Sequence, residues 1–178
     1  MRIYILLLGF AVFTFTNSCK KIDELTKFEM DYNATVVIPS TSGLGLPFSV
    51  LTPSVTSNSE ATFEVNDTRK DLIEEILLKK LELRIDSPSG GDFGFLESIE
   101  IFINAEDLNE LKIAWYDNVP DSQGNTLDIF TTDSDLKEYI KKDNFTLRVK
   151  SITDETIASD YEINVYSQFF VDAKVLGQ

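Results

Sequence analysis

From Phe28 onward, apolar side chains recur at every second position. Phe28, Met30, Tyr32, Ala34, Val36 and Ile38 alternate with Glu29, Asp31, Asn33, Thr35 and Val37. Successive residues of a strand point to opposite faces, so this spacing predicts a half-buried strand, stopped at Pro39. Phe48 to Val50 and Ala61-Phe63-Val65 predict two short strands around a turn region at Pro53. Leu81, Leu83 and Ile85 form the next apolar row, ended by Pro88-Ser89-Gly90-Gly91. Further rows follow at Ile99, Ile101 and Ile103; at Leu111, Ile113 and Trp115; at Leu127 and Ile129; and at Phe145, Leu147 and Val149. The last row, Tyr161 to Val175, keeps its parity longest, a length at which a strand commonly bends or passes between sheets. Roughly nine antiparallel strands at this spacing predict an all-β sandwich.

Two segments break the period. Leu72, Ile73, Ile76 and Leu77 follow helical spacing behind Asp67 and Thr68, either of which caps a short helix. Leu136, Tyr139 and Ile140 stand at i, i+3 and i+4 within Thr132 to Lys142. There Thr132 with Asp135 resembles a capping box, and Lys141-Lys142 suit the negative end of the helix dipole.

Before the alternating region, Met1-Arg2 precedes an apolar run from Ile3 to Phe15. One positive charge before a short apolar core is the pattern of a secretory signal peptide, and the run is shorter than the ~20 residues a membrane span needs. Thr16-Asn17-Ser18-Cys19 follows, with a small residue directly before the cysteine. It resembles the bacterial lipobox, although Thr16 stands where that motif usually carries a bulky aliphatic residue. The resemblance implies lipid on Cys19, a cleaved segment 1–18, a short tether over 19–26 and a β-sandwich domain over 27–178. Cys19 is the only cysteine, so no intramolecular disulfide can form, and lipidation accounts for it. Lys20, where an acidic residue would signal inner-membrane retention, points to the outer membrane. Lys20-Lys21-Ile22-Asp23-Glu24 resembles the Lys-then-acidic signal for the cell surface, so the surface is favoured over the periplasmic side.

Composition narrows the chemistry. A formal net charge of −14 gives the chain no general attraction for nucleic acid or anionic headgroups, which are held by clusters of Lys and Arg. There is no histidine. Ser-His-Asp, Cys-His and imidazole-metal sites therefore cannot be built, and no cofactor is expected.

Asp117, Asp121 and Asn125 are candidate oxygen ligands for calcium, but their loop lacks the regular Asp/Asn spacing and the late bidentate Glu of a calcium loop. Pro120 and Gly124-Asn125 read it first as a hairpin turn. A carboxylate pair for glycoside cleavage cannot be singled out among thirty acidic residues. The strand parities place Phe102, Tyr116, Tyr166 and Phe170 opposite the core faces, where rings can stack on sugars or anchor a partner, and place Trp115 in the core.

Lys70-Asp71-Leu72-Ile73, Ser98-Ile99-Glu100-Ile101, Asp135 to Ile140 and Phe169 to Val175 resemble small Bacteroidetes lipoproteins with an immunoglobulin-like β-sandwich. The resemblance implies that sandwich and an envelope address, and no reaction. The expectation is a lipid-anchored, non-catalytic binding module whose partner is an envelope protein. The alternative is a surface glycan-binding protein assisting polysaccharide uptake.

Overall fold

The computed structural model describes residues 26–40 and 45–174. The expected signal, Cys19, most of the tether and Val175 lie outside these residues. Among them the chain forms ten strands and two short helices. In chain order these are β1 (Lys27–Ile38), β2 (Phe48–Leu51), β3 (Val55–Thr56), α1 (Ser59–Val65), a 3-10 turn (Lys70–Leu72), β4 (Ile73–Ser87), β5 (Leu96–Ala105), β6 (Leu111–Asp117), β7 (Thr126–Asp128), β8 (Phe130–Thr131), α2 (Lys137–Ile140), β9 (Asn144–Thr153) and β10 (Tyr161–Ala173).

Every strand pairing is antiparallel, and the strands divide into two sheets. One has the order β1-β10-β4-β7; the other runs β2-β9-β5-β6-β8, with β3 also paired to β9. The inner faces share one core, in which Tyr32 of β1 stands edge-on to Phe145 of β9 and Phe169 of β10, at 5.3 and 5.7 Å between ring centroids. The protein is thus an all-β sandwich. Within it the immunoglobulin-like order does not hold. Leaving aside the two-residue strands β3 and β8, the eight principal strands pair first with last, second with seventh, third with sixth and fourth with fifth. That nesting is the double Greek key of a jelly roll, whereas an immunoglobulin domain groups its first, second, fifth and fourth strands in one sheet.

β1 carries the predicted inward row, with Met30, Tyr32, Val36 and Ile38 buried. β10 likewise buries Ile163, Val165, Ser167, Phe169, Val171 and Ala173, and stays within one sheet instead of crossing. Three segments depart from the predicted pattern, each for a definable reason.

Leu72 to Leu77 does not form a helix. Only the 3-10 turn precedes β4, whose pairing with β10 slips at Glu74 and at Lys79. Each bulge inserts one unpaired residue, so the buried positions run Ile73, Ile76, Leu78, Leu81 and imitate a helical spacing.

Ala61-Phe63-Val65 is not a strand but part of α1. Ser59 and Phe63, four apart, face the core, while Val65 is 80% exposed. Asn58, with a positive φ, opens this helix; Asp67, Asp107 and Asn118 hold the same left-handed conformation at other turns, a region their short polar side chains tolerate.

The third departure is in β6. Its pairing slips between Ile101 and Phe102, which oppose Ala114 and Lys112, leaving Ile113 as the extra residue. Ile113 and Ala114 are both buried, and the parity of the following rings reverses. Trp115 therefore faces outward, and Tyr116 packs against the core.

α2 is shorter than predicted, although Leu136 and Ile140 are buried and Tyr139 packs on the core as expected. Its capping carboxylate is Asp135 rather than a Thr132 pair. Asp135 Oδ1 accepts from the backbone N–H groups of Lys137 and Ile76, both at 3.0 Å, which ties the helix to the β4 edge.

Candidate functional site

The four aromatic positions expected opposite the core faces are divided by the fold. Tyr166 and Phe170 lie on the outer face of the four-stranded sheet, Phe102 on that of the six-stranded sheet, and Tyr116 turns inward. On the four-stranded side the rings are engaged by neighbours. Burial, and after it a hydrogen bond from the Tyr166 hydroxyl to Asp31, pushes that phenol above its ordinary pKa. Lys79 Nζ lies 5.4 Å from the centre of the Phe170 ring.

The outer face of the six-stranded sheet assembles a different set. Pairing of β9 with β5 sets Arg148 beside Phe102 and Lys150 beside Glu100, and pairing of β5 with β6 brings Trp115 to Glu100. The Arg148 guanidinium lies 4.1 Å from the Phe102 ring centre. It donates to both carboxylate oxygens of Glu110, the Nε bond measuring 2.7 Å, and to Ser49 Oγ at 3.2 Å. Glu100 receives Lys150 at 2.7 Å and Lys112 at 3.1 Å, and Lys112 Nζ also stands 5.5 Å over the Trp115 ring. Phe130 on β8 extends the surface: it is 60% exposed, 6.4 Å from Trp115 and 5.5 Å from Tyr116 between centroids.

Hydrogen bonds from Lys150 and Lys112 hold the Glu100 carboxyl below its ordinary pKa, and those from Arg148 do the same for Glu110. The charges are therefore fixed near neutral pH and mutually oriented. Lys112, Arg148 and Lys150 outnumber Glu100 and Glu110, in a chain that is otherwise strongly acidic. Such a face can accept and donate several hydrogen bonds while offering ring surface at Trp115 and Phe130.

Trp115 and Phe130 were not singled out as contact residues by sequence. Phe130 was legible in principle, since it is out of step with the buried Leu127 and Ile129. Trp115 was not, because the bulge at Ile113 reverses its side.

Asp117 ends β6, and Asp121 and Asn125 lie in the segment that follows it. Among the described residues, no group of three or more Asp, Glu, His or Cys is placed to hold a metal ion. Their loop is no hairpin; it carries the chain from one sheet to the other. Its carbonyls are engaged: Gly124 accepts from Phe93 N–H at 3.1 Å and Asn125 from Ile85 N–H at 2.9 Å. A hollow of about 480 Å³ lies between Pro88–Asp92 and Gly124-Asn125. Another, of about 420 Å³, is lined by Glu60, Glu64 and Asp143, with Lys70 paired to Glu60 and Asp143.

No protein-family model matches the chain, and no curated protein sequence matches it. Among solved structures, FLHE is similar at a TM-score of 0.29 and 10% identity, over 82% of this chain and 97% of that one. A carbohydrate-binding module from Clostridium perfringens, in complex with GalNAc-β-1,3-galactose, gives a TM-score of 0.29 at 15% identity, over 81% and 97% of the two chains. A turnip yellow mosaic virus chain gives 0.32 at 8% identity, over 85% and 96%. Likenesses this loose define neither a family nor a function. Among the described residues, no helix is long and apolar enough to cross a membrane.

Proposed function

We propose that the protein is a non-catalytic binding module of the cell envelope, attached to the outer membrane by lipid on Cys19, and that it recognises its ligand on the outer face of the six-stranded sheet. The lipobox-like Thr16 to Cys19 segment supports the address. The observation that carries the site is the juxtaposition of Trp115 and Phe130 with the fixed ion pairs of Glu100 and Glu110.

Of the two ligand classes, this face favours a glycan. Among the described residues the exposed large apolar side chains are few, Val37, Leu46, Leu51, Val65 and Phe130, each in a different segment, whereas a protein interface core presents a broad apolar patch. Rings beside preoriented donors and acceptors suit the alternating apolar and hydroxyl faces of a sugar. Affinity electrophoresis through gels containing envelope or dietary polysaccharides tests this. The parent protein is retarded by at least one polysaccharide, and the Trp115→Ala/Phe130→Ala variant is not, while its far-UV spectrum is unchanged. Retention of equal strength in the variant refutes the site. Replacement of Cys19 by Ala releases the protein from membranes and abolishes labelling with palmitate; continued labelling refutes the anchor.

A further inference from the structure

Among the described residues five strands stand at the edges of the two sheets, and they are not alike. β7, β8, β3 and β2 have three, two, two and four residues. Edges that short offer little template for another strand. β1 has twelve residues and pairs with β10 through twelve consecutive positions without a register shift. It contains no proline and no bulge, two of the devices that blunt an exposed edge. Among the described residues, β10 is the only strand paired with it. Its other side borders a hollow of about 370 Å³, walled by Asp31–Thr35 of β1 and by Pro53–Thr56, the segment that ends in β3.

Part of the charge along this edge is uncompensated. Glu29 and Asp31 are exposed on the outer side of β1, bonded to Gln168 and Tyr166, which are neutral, and neither has an ion pair among the described residues. The adjoining β10 adds Glu162, while its Asp172 is paired with Lys27 of β1 at 3.8 Å. On the inner side β1 presents Met30, Tyr32 and Val36 to the core.

We propose that β1 is a strand-addition site for an extended segment of a partner protein, with basic residues on the outer side and apolar residues on the inner side. Backbone hydrogen bonds supply the attachment, and cations beside Glu29 and Asp31 set the register. A second copy of this chain is a poorer occupant, because two chains of net charge −14 repel and would bring more carboxylates to the same edge. The site is separate from the ring face of the six-stranded sheet and does not depend on the glycan reading.

The test uses a short peptide alternating valine with lysine or threonine, and its twin N-methylated on the edge-bonding amides. Amide hydrogen exchange of the protein is followed with each peptide, and affinity by fluorescence anisotropy at low salt. The expected result is new protection confined to β1, no binding of the methylated twin, and about tenfold or greater weakening in Glu29→Lys/Asp31→Lys. The proposal is overturned if the peptide fails to bind, if the twin binds equally, if protection falls elsewhere, or if the protein without peptide is already a dimer protected along β1.

Discussion

Tyr32 joins the two layers, and replacing it with Phe separates its ring from its hydroxyl. The side chain is 9% exposed, and its hydroxyl donates to the Ser57 carbonyl at 2.7 Å, fixing the segment between β3 and α1 against β1. Ser57 in turn donates through Oγ to the Lys142 carbonyl at 2.6 Å, so the tie reaches the chain just after α2. Tyr32→Phe keeps the edge-on contacts with Phe145 and Phe169 and leaves the Ser57 carbonyl unpaired. An unmade buried hydrogen bond costs about 1–3 kcal/mol, and removing a buried hydroxyl offsets part of it, so a loss of about 1–2 kcal/mol is expected. In a chain of this size that lowers Tm by roughly 3–6 °C. Tyr32→Ala also opens a cavity between the two Phe rings and costs about 3–5 kcal/mol.

Urea unfolding followed by Trp115 fluorescence measures both, with the slope m checked for constancy. The pH dependence provides a second reading. Burial holds the Tyr32 phenol above its ordinary value of 10.0. The unfolded chain therefore ionises first, and the parent loses stability as pH rises through that value toward the folded pKa. The Phe variant lacks this term, so the gap between the two narrows above about pH 10. A Phe variant as stable as the parent at pH 7, or a gap that widens in alkali, refutes the account of the hydroxyl.

Three further outcomes follow from the same geometry. Asp135→Ala strips the acceptor from the Ile76 and Lys137 amides and lowers stability by about 1–2 kcal/mol in chemical denaturation. Burial opposes ionisation of Asp135, but the Ile76 and Lys137 hydrogen bonds prevail and hold its carboxyl below the ordinary value; its contribution is complete above about pH 4 and is lost as pH falls through the folded pKa, so the parent's acid profile is the steeper. The hydroxyls of Ser151 and Thr153 are buried with no hydrogen-bond partner among the described residues. Ser151→Ala and Thr153→Val therefore leave stability unchanged or raise it by up to about 1 kcal/mol, and a clear loss in calorimetry shows that the hydroxyls are bonded. At Gly94 an added methyl group meets the Asp121 carbonyl oxygen at 2.5 Å, so Gly94→Ala costs about 1–3 kcal/mol, and an unaltered midpoint refutes that close approach.

The alternation of apolar residues determined the sheet class, because one buried face requires period two whichever strand lies alongside. β1 and β10 were legible to within a residue or two on that ground, and β5 and β9 in their central residues. The inward Leu136 and Ile140 were legible from their helical spacing. Pairing partners were not legible, since an inward row reads the same in an immunoglobulin domain and in a jelly roll; only the closure of β1 on β10 and β4 on β7 separates them. The bulges at Glu74, Lys79 and Ile113 were hidden too, because a bulge is a relation between two strands and leaves on one of them only a spacing of three. One such spacing imitated a helix before β4, and the slip at Ile113 exchanged the sides of Trp115 and Tyr116. The candidate face thus took its residues from β2, β5, β6, β8 and β9, segments brought side by side by hydrogen bonding across the sheet and by nothing in their order along the chain.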